Sequence, residues 1–285
     1  MKSFRKLTLE ITLPVSLSAL AGGIVAALAG AWAVPVLAQQ QAAPPIFSWD
    51  HTIGWIGMGE FRPVPGKVPP VTNDPKYPYV PNNQGRQPTY RIADLTNPNL
   101  KPWVKEVMKK DNDEVLGGKI AYTPGSSCRP AGVTAFVLDG GPYFFVQTPT
   151  KVLIIQQGEQ IARQIYLNVP HSANPKPTWF GESVGHYEGD TLVVDTIGMN
   201  ARTFVDQFRT PHTDKLHVVE RWRMIEEGKR LEVLITIEDP DTFNQPWKAM
   251  VRWDRTQATL PENICVEGNL LLFDWGVPQT NTPDF

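Results

Sequence analysis

The sequence predicts a mainly β domain, and three observations carry that expectation. Proline and glycine are plentiful, 27 and 22 in 285 residues, and nine tryptophans accompany them. This mixture suits short strands joined by turns and anchored by large rings better than it suits a helical bundle. From Tyr143 onward apolar residues alternate at period two, over Tyr143–Thr148, Val152–Gln156, Ile161–Asn168, Glu182–Tyr187, Thr191–Thr196, Leu216–Ile225, Arg230–Glu238 and Trp247–Asp254. Most of these runs are joined by very short turns, Pro149-Thr150, Gly158-Glu159, Glu188-Gly189-Asp190 and Glu227-Gly228-Lys229. Such turns force antiparallel neighbours, because a parallel crossover needs a dozen or more residues.

Taken from the start, the chain opens with Lys2, Arg5 and Lys6, followed by a stretch from Ile11 to Trp49 without a charged residue. Val36 and Ala38 stand at the −3 and −1 positions of a signal-peptidase site before Gln39, so residues 1–38 read as an export signal. The run is also long enough to serve as an uncleaved anchor. Arg5-Lys6 stands where a twin-arginine signal carries an Arg pair. The expected location is periplasmic or secreted, with the membrane met only through the export signal.

Residues 39–90 read as a proline-rich arm. Prolines at 63, 65, 69, 70, 75, 78, 81 and 88 exclude a helix or a central strand. The interleaved Trp49, Trp55, Phe61, Tyr77 and Tyr79 suit packing onto the domain that follows. Residues 91–285 then hold the barrel domain with its N-terminal helix. Asn97-Pro98 supplies a cap and a first-turn proline, Trp103, Val104, Val107 and Met108 recur at helical spacing, and Gly117-Gly118 stops the helix. Sequential hairpins make a β-meander, and about eight strands can close on themselves and remove exposed edges. The fold expected is therefore an antiparallel meander closing into a lipocalin-like barrel, with an open sandwich as the alternative.

Cys128 and Cys265 are the only cysteines. In an oxidising compartment they are expected to form a disulfide, worth up to about 5 kcal/mol on the loop-entropy model. Metal-binding cysteines need partners at short spacing, which this pair lacks.

The segment Pro177-Thr178-Trp179-Phe180-Gly181-Glu182-Ser183-Val184-Gly185-His186-Tyr187-Glu188-Gly189-Asp190-Thr191-Leu192-Val193-Val194-Asp195-Thr196, with Pro211–Arg221, Glu238-Asp239-Pro240 and Pro246-Trp247 after it, resembles a family of exported, uncharacterised bacterial proteins. The resemblance covers roughly the last two thirds of the chain. Tyr187 stands where that family more usually has Trp, and Cys265–Asn269 replaces an Asn-rich ending. The resemblance implies export and carries no activity. Its Glu-Gly-Asp-Thr-Leu hairpin is also similar to those of lipocalin-type barrels, which bears on fold alone.

A formal net charge of −2 provides no footprint for nucleic acid. No G-x-G-x-x-G or P-loop occurs, and no cofactor is implied. The concentration of Asp195, Asp206, His212, Asp214, His217 and Glu220 in one hairpin and its loop is the strongest chemical signal. A histidine oriented by a carboxylate can exchange a proton near neutral pH, so His212 and His217 are the candidate acid/base residues and Asp195 or Asp206 the orienting group. The loop between Thr196 and Lys215, carrying Phe204 and Phe208, reads as a lid or binding loop. Alternation places Leu216, Val218, Glu220, Trp222 and Met224 on one face of their strand. Glu220 and Trp222 are candidate ligand-binding residues on that face, with Arg163 or Tyr166 from a neighbouring strand meeting a ligand's polar end. A two-His, one-carboxylate metal set from His212, His217 and Glu220 fits no standard spacing and needs His171 or His186 from another strand; no metal is expected. Gly181-Glu182-Ser183-Val184-Gly185 matches the serine-hydrolase elbow only in letters, since strand follows it. His51 in the arm reads as a packing or surface residue.

Two function classes follow. One is an enzyme acting by proton transfer, a hydratase, dehydratase, lyase or isomerase, on a small hydrophobic or aromatic molecule. The other is a binding protein whose cavity holds such a molecule. A structural envelope protein has only the proline-rich arm in its favour. Convergence of His212, His217 and a carboxylate on an enclosed pocket discriminates the first two.

Overall fold

The computed structural model describes residues 43–48, 53–57, 59–79, 91–119, 122–158, 162–257, 259–260, 262 and 264–265. The chain divides into Met1–Gln40 and Gln41–Phe285; the export signal expected over residues 1–38 lies outside the described residues, as do Trp49 and His51.

Among the described residues, ten strands make one sheet: β1 Ile53–Ile56, β2 Arg62–Pro63, β3 Tyr143–Gln147, β4 Lys151–Gln156, β5 Arg163–Leu167, β6 Glu182–Glu188, β7 Thr191–Ile197, β8 His217–Ile225, β9 Arg230–Glu238 and β10 Trp247–Gln257. Two α-helices among these residues precede β3, α1 Pro102–Leu116 and α2 Val133–Leu138. The strand order runs β1-β3-β4-β5-β6-β7-β8-β9-β10, and β10 pairs back onto β1, so nine strands close into a barrel. Closure removes the edges an open sandwich leaves. The fold is mainly β and lipocalin-like, as the alternation and short turns predict.

Four details depart from the sequence expectation, each for a local reason. β5 and β6 pair in parallel, with Ile165 opposite Ser183. Their connector spans 168–181, long enough for a crossover that the short turns elsewhere forbid. The closing strand, β1, comes from the proline-rich arm. It pairs with β10 over Ile53–Ile56 and with β3 at Trp55↔Tyr143, and it can do so because no proline falls between Pro45 and Pro63. Helix α1 starts at Pro102, not Pro98. Asn97 Oδ1 accepts from the Asn99 amide at 2.9 Å, Leu100 bridges Phe243, and the Lys101 amide donates to Thr242 at 3.0 Å, so 98–99 form a turn and 100–101 run as extended chain. Its buried stripe is Val104, Met108, Asn112 and Val115, while Trp103 and Val107 face outward. The short helix α2 carries no sequence signal of comparable strength.

Alternation fills the interior. β8 contributes Val218, Glu220 and Trp222, β9 Leu231, Val233, Ile235 and Ile237, and β10 Trp247, Ala249, Val251 and Trp253, all buried. Trp222 and Trp253 stack with centroids 5.5 Å apart and planes 6° from parallel. Tyr143 meets Trp253 edge-on at 5.4 Å and Phe145 meets Trp222 at 5.6 Å. Such pairs contribute about 1 kcal/mol each beyond the area they bury. The arm is tied down by Gln147, whose Oε1 accepts from the Phe47 amide at 2.9 Å while its Nε2 donates to the Pro45 carbonyl at 2.8 Å. Cys128 and Cys265 are bridged, with Cα atoms 5.6 Å apart across 137 residues of sequence. Among the described residues, no helix is long and apolar enough to cross a membrane.

Candidate functional site

The residues singled out from sequence fall into separate environments. In the barrel interior, Arg163 from β5 donates from Nη1 to Glu220 Oε1 at 2.9 Å and from Nη2 to the second carboxylate oxygen. The same Nη2 reaches Thr196 Oγ1 at 3.1 Å and Ser183 Oγ at 3.3 Å, and those two hydroxyls share a 2.8 Å bond. Four consecutive barrel strands thus supply one buried polar cluster. Arg163 and Glu220 are fully buried at their side chains, and Trp222 lies two residues further along β8. Bidentate pairing meets the demand that a buried carboxylate be compensated. Ser183 sits inside β6 and engages Thr196 and Arg163, not a histidine, so the elbow-like letters have no elbow behind them. Tyr166 lies on the opposite face of β5, exposed, with Lys151 Nζ 4.7 Å from its ring centroid.

His212 and Asp206 are structural parts of the loop between β7 and β8. The His212 ring is buried, and both nitrogens are occupied, Nδ1 by the Thr213 carbonyl at 2.7 Å and Nε2 by Thr203 Oγ1 at 2.7 Å. A carbonyl only accepts, so Nδ1 carries the proton and Nε2 receives the Thr203 hydroxyl. Burial pushes the ring's pKa down from its ordinary value. Asp206 Oδ1 accepts from the Phe208 amide at 2.9 Å and the Thr210 amide at 3.2 Å, and Oδ2 accepts from the Thr210 hydroxyl at 2.8 Å. Burial pushes its carboxyl up to about 6. The loop itself is pinned. Thr134 of α2 bonds the Phe204 carbonyl at 3.0 Å, Arg209 bonds the Asp111 carbonyl of α1 at 3.0 Å, and the Thr213 amide bonds Asp239 at 2.7 Å. Gly132 has φ 86°, and a Cβ there would stand 2.8 Å from the Thr203 side chain. The segment that reads as a lid is fastened to α1, α2 and the end of β9.

His217 does meet the carboxylate named for it, on the outer face of the barrel. Its Nε2 lies 3.1 Å from Asp195 Oδ1, and the same oxygen lies 2.9 Å from Nε2 of His171 in the β5–β6 crossover. His171 Nδ1 in turn lies 3.0 Å from Glu182 Oε1. Carboxylates only accept, so both His171 contacts are hydrogen bonds when the ring carries both protons. Glu182 also accepts from the Ser172 hydroxyl at 2.6 Å and the Ser172 amide at 2.7 Å, and these bonds hold its carboxyl below the ordinary range. His212 takes no part in this network. The convergence of His212 and His217 on one enclosed pocket is therefore not what the fold produces. His186, exposed, pairs with Glu188 at 3.1 Å. Among the described residues, no group of three or more His, Cys, Asp or Glu is placed to hold a metal ion.

Glu182 links this network to a cleft of about 450 Å³ where β5 and β6 begin. Tyr166, Trp179 and Phe180 line it, with Lys176 and Glu182, and Arg163 belongs to the same wall. The segment carrying the two latter rings is held along the end of β7. The Thr178 amide donates to the Gly198 carbonyl at 3.0 Å, and the Asn200 amide donates to the Thr178 carbonyl at 2.8 Å. Gly181 has φ 63°, and a Cβ there would stand 2.3 Å from the Ile197 carbonyl oxygen, so only glycine lets the chain pass so close. Phe180 is fixed from behind by Phe136, edge-on at 5.5 Å. The sequence assigns no site role to Trp179, Phe180 or Lys176. Their signal is a tryptophan–phenylalanine pair next to a positive-φ glycine after a connector too long for a hairpin.

The chain matches no protein-family model, no curated protein and no solved structure.

Proposed function

We propose that the protein is exported and binds a small, flat, apolar or aromatic molecule in the cleft where β5 and β6 begin. The observation that carries this reading is the set of three aromatic rings, Tyr166, Trp179 and Phe180, around a space of about 450 Å³. That size falls within the range of small-molecule sites, which are lined by apolar and aromatic side chains with few polar groups. The barrel interior supports the same choice from the other side, since stacked indoles and an ion pair occupy its centre. The Cys128–Cys265 bridge suits an oxidising compartment, in keeping with the charge-free N-terminal stretch and the Ala38-Gln39 junction. Export is tested by mass spectrometry of the periplasmic protein, with an N-terminus expected at Gln39. An intact N-terminus in the inner membrane defeats it.

Binding is tested by titrating aromatic compounds into the wild type and Trp179→Ala while following calorimetric heat. Loss of a compound's binding in the variant, with an unchanged melting temperature, is the expected result. Compounds that bind both proteins equally sink the cleft as the site.

A second reading, proton-transfer catalysis, is favoured by one specific contact, the sharing of Asp195 Oδ1 between His171 and His217. Here His217, held by Asp195, exchanges the proton, at the far end of a chain that reaches the cleft through Glu182. Replacing a general base lowers rate by about 10²–10⁴-fold. Turnover of any bound compound by the wild type, lost in His217→Gln, is the expected sign of this activity. Equal turnover by both rejects His217 as the base.

A further inference from the structure

The polar groups around the cleft have a sign, and it narrows the ligand. Glu182 is already occupied, by the Ser172 hydroxyl at 2.6 Å, the Ser172 amide at 2.7 Å and His171 at 3.0 Å. Gln164 uses its Oε1 to accept from Lys151 Nζ at 3.0 Å, which leaves its amide N–H groups to donate. The Thr178 hydroxyl donates to the Gly181 carbonyl at 3.2 Å. The Glu182 carboxylate and the Gln164 amide oxygen are thus engaged within the protein.

The donors are not. Lys176 lines the cleft and has no carboxylate partner among the described residues. The indole N–H of Trp179 likewise makes no hydrogen bond within them. The charges add in the same direction. Arg163 is neutralised by Glu220, while Lys176 lines the cleft and Lys151 stands over the ring of Tyr166 with only the neutral Gln164 side chain as its polar partner among the described residues.

We infer that the ligand is an aromatic carboxylate, its ring held among Trp179, Phe180 and Tyr166 and its carboxylate turned to Lys176 and the neighbouring donors. A carboxylate supplies only acceptors, which is what a site with surplus donors and a lysine without a carboxylate partner complements. This inference rests on the cleft being the binding site.

The two ideas fail differently. Calorimetric titration of the wild type with 2-naphthoate and with its neutral amide, 2-naphthamide, compares the same ring with and without the charge. The acid is expected to bind about tenfold more tightly at low salt, since a charge-assisted hydrogen bond exceeds a neutral one by roughly 1.4 kcal/mol. Lys176→Gln, a change in an exposed connector, is expected to remove most of that difference and leave the amide's affinity in place. Equal affinities for acid and amide in the wild type, or a gap that survives Lys176→Gln, overturn the carboxylate assignment while the cleft stands. Binding of both compounds that Trp179→Ala leaves untouched, or no binding of either at millimolar concentration, overturns the cleft and the carboxylate together.

Discussion

Arg163 and Glu220, 57 positions apart in sequence, form a fully buried ion pair in the barrel interior. Two solvated side chains would gain little from such pairing, but here each is the other's replacement for water. Removing one partner leaves an uncompensated buried charge. Glu220→Leu is therefore expected to lower stability by about 3–5 kcal/mol, read as a fall in the urea midpoint. The double variant Arg163→Met/Glu220→Leu is expected to recover most of that loss, because a hydrophobic pair of similar volume carries no desolvation cost. A double variant as unstable as the single one would show that the hydroxyls of Ser183 and Thr196 depend on the guanidinium more than the carboxylate does.

The buried carboxyl of Asp206 makes a prediction about pH. Its folded pKa is raised from an ordinary 3.8 to about 6 by burial, so between those values the folded state holds the proton that the unfolded chain has lost. Its contribution to stability is fully present below 3.8 and disappears as pH rises through about 6. The span corresponds to about 3 kcal/mol at most. Asp206→Asn keeps the oxygen that accepts the Phe208 and Thr210 amides and has no charge to desolvate. The stability difference, variant minus wild type, is expected to grow in the variant's favour between pH 4 and pH 7, measured by urea unfolding across that range. A difference that stays flat rejects the assignment.

His212 pulls the other way and can be separated by the same method. Its folded pKa lies below the ordinary 6.5 because burial disfavours the cation, so the unfolded chain takes the proton first. Its contribution is complete above 6.5 and is lost as pH falls toward the folded value. Both ring nitrogens are bonded, so His212→Ala is expected to cost about 1–3 kcal/mol through the stranded Thr203 hydroxyl and Thr213 carbonyl. A catalytic His212 on a loose lid would instead lose turnover at an unchanged melting temperature.

The contrast between His212 and His217 shows what the sequence could and could not reveal. Period-two alternation fixes which face of β8 each residue takes, so Glu220 and Trp222 read correctly as inward and His217 as outward. The eight strand runs are legible for the same reason, because backbone pleating imposes the pattern locally. Which outward residues meet is set by register between strands and by the path of the crossover. Nothing near His171 in sequence announces that it will share Asp195 with His217, 46 positions later in the chain. The aromatic cleft was hidden similarly, since it exists only because β5 and β6 run parallel. Titratable residues close in sequence suggested one site; the fold distributes them over a loop core, a barrel interior and an outer face.

The bridge between Cys128 and Cys265 joins the segment after α1 to the chain beyond β10. Cys128 has φ 53° at the end of a short 3₁₀ turn over Pro124–Ser127, which Thr123 caps by accepting the Ser126 amide at 3.3 Å. The disulfide ties that segment covalently to the chain beyond β10. Closing a loop of 137 residues removes denatured-state freedom worth about 5 kcal/mol on the chain-entropy model. Cys128→Ala/Cys265→Ala is therefore expected to unfold at lower urea concentration than the oxidised wild type, by an amount bounded by that figure. The slope of the transition is also expected to rise, because an uncrosslinked chain exposes more surface on unfolding. Non-reducing peptide mapping checks the bond itself and is expected to recover the two cysteines in a single linked pair. Two alkylatable thiols in the native, oxidised protein would refute the bridge.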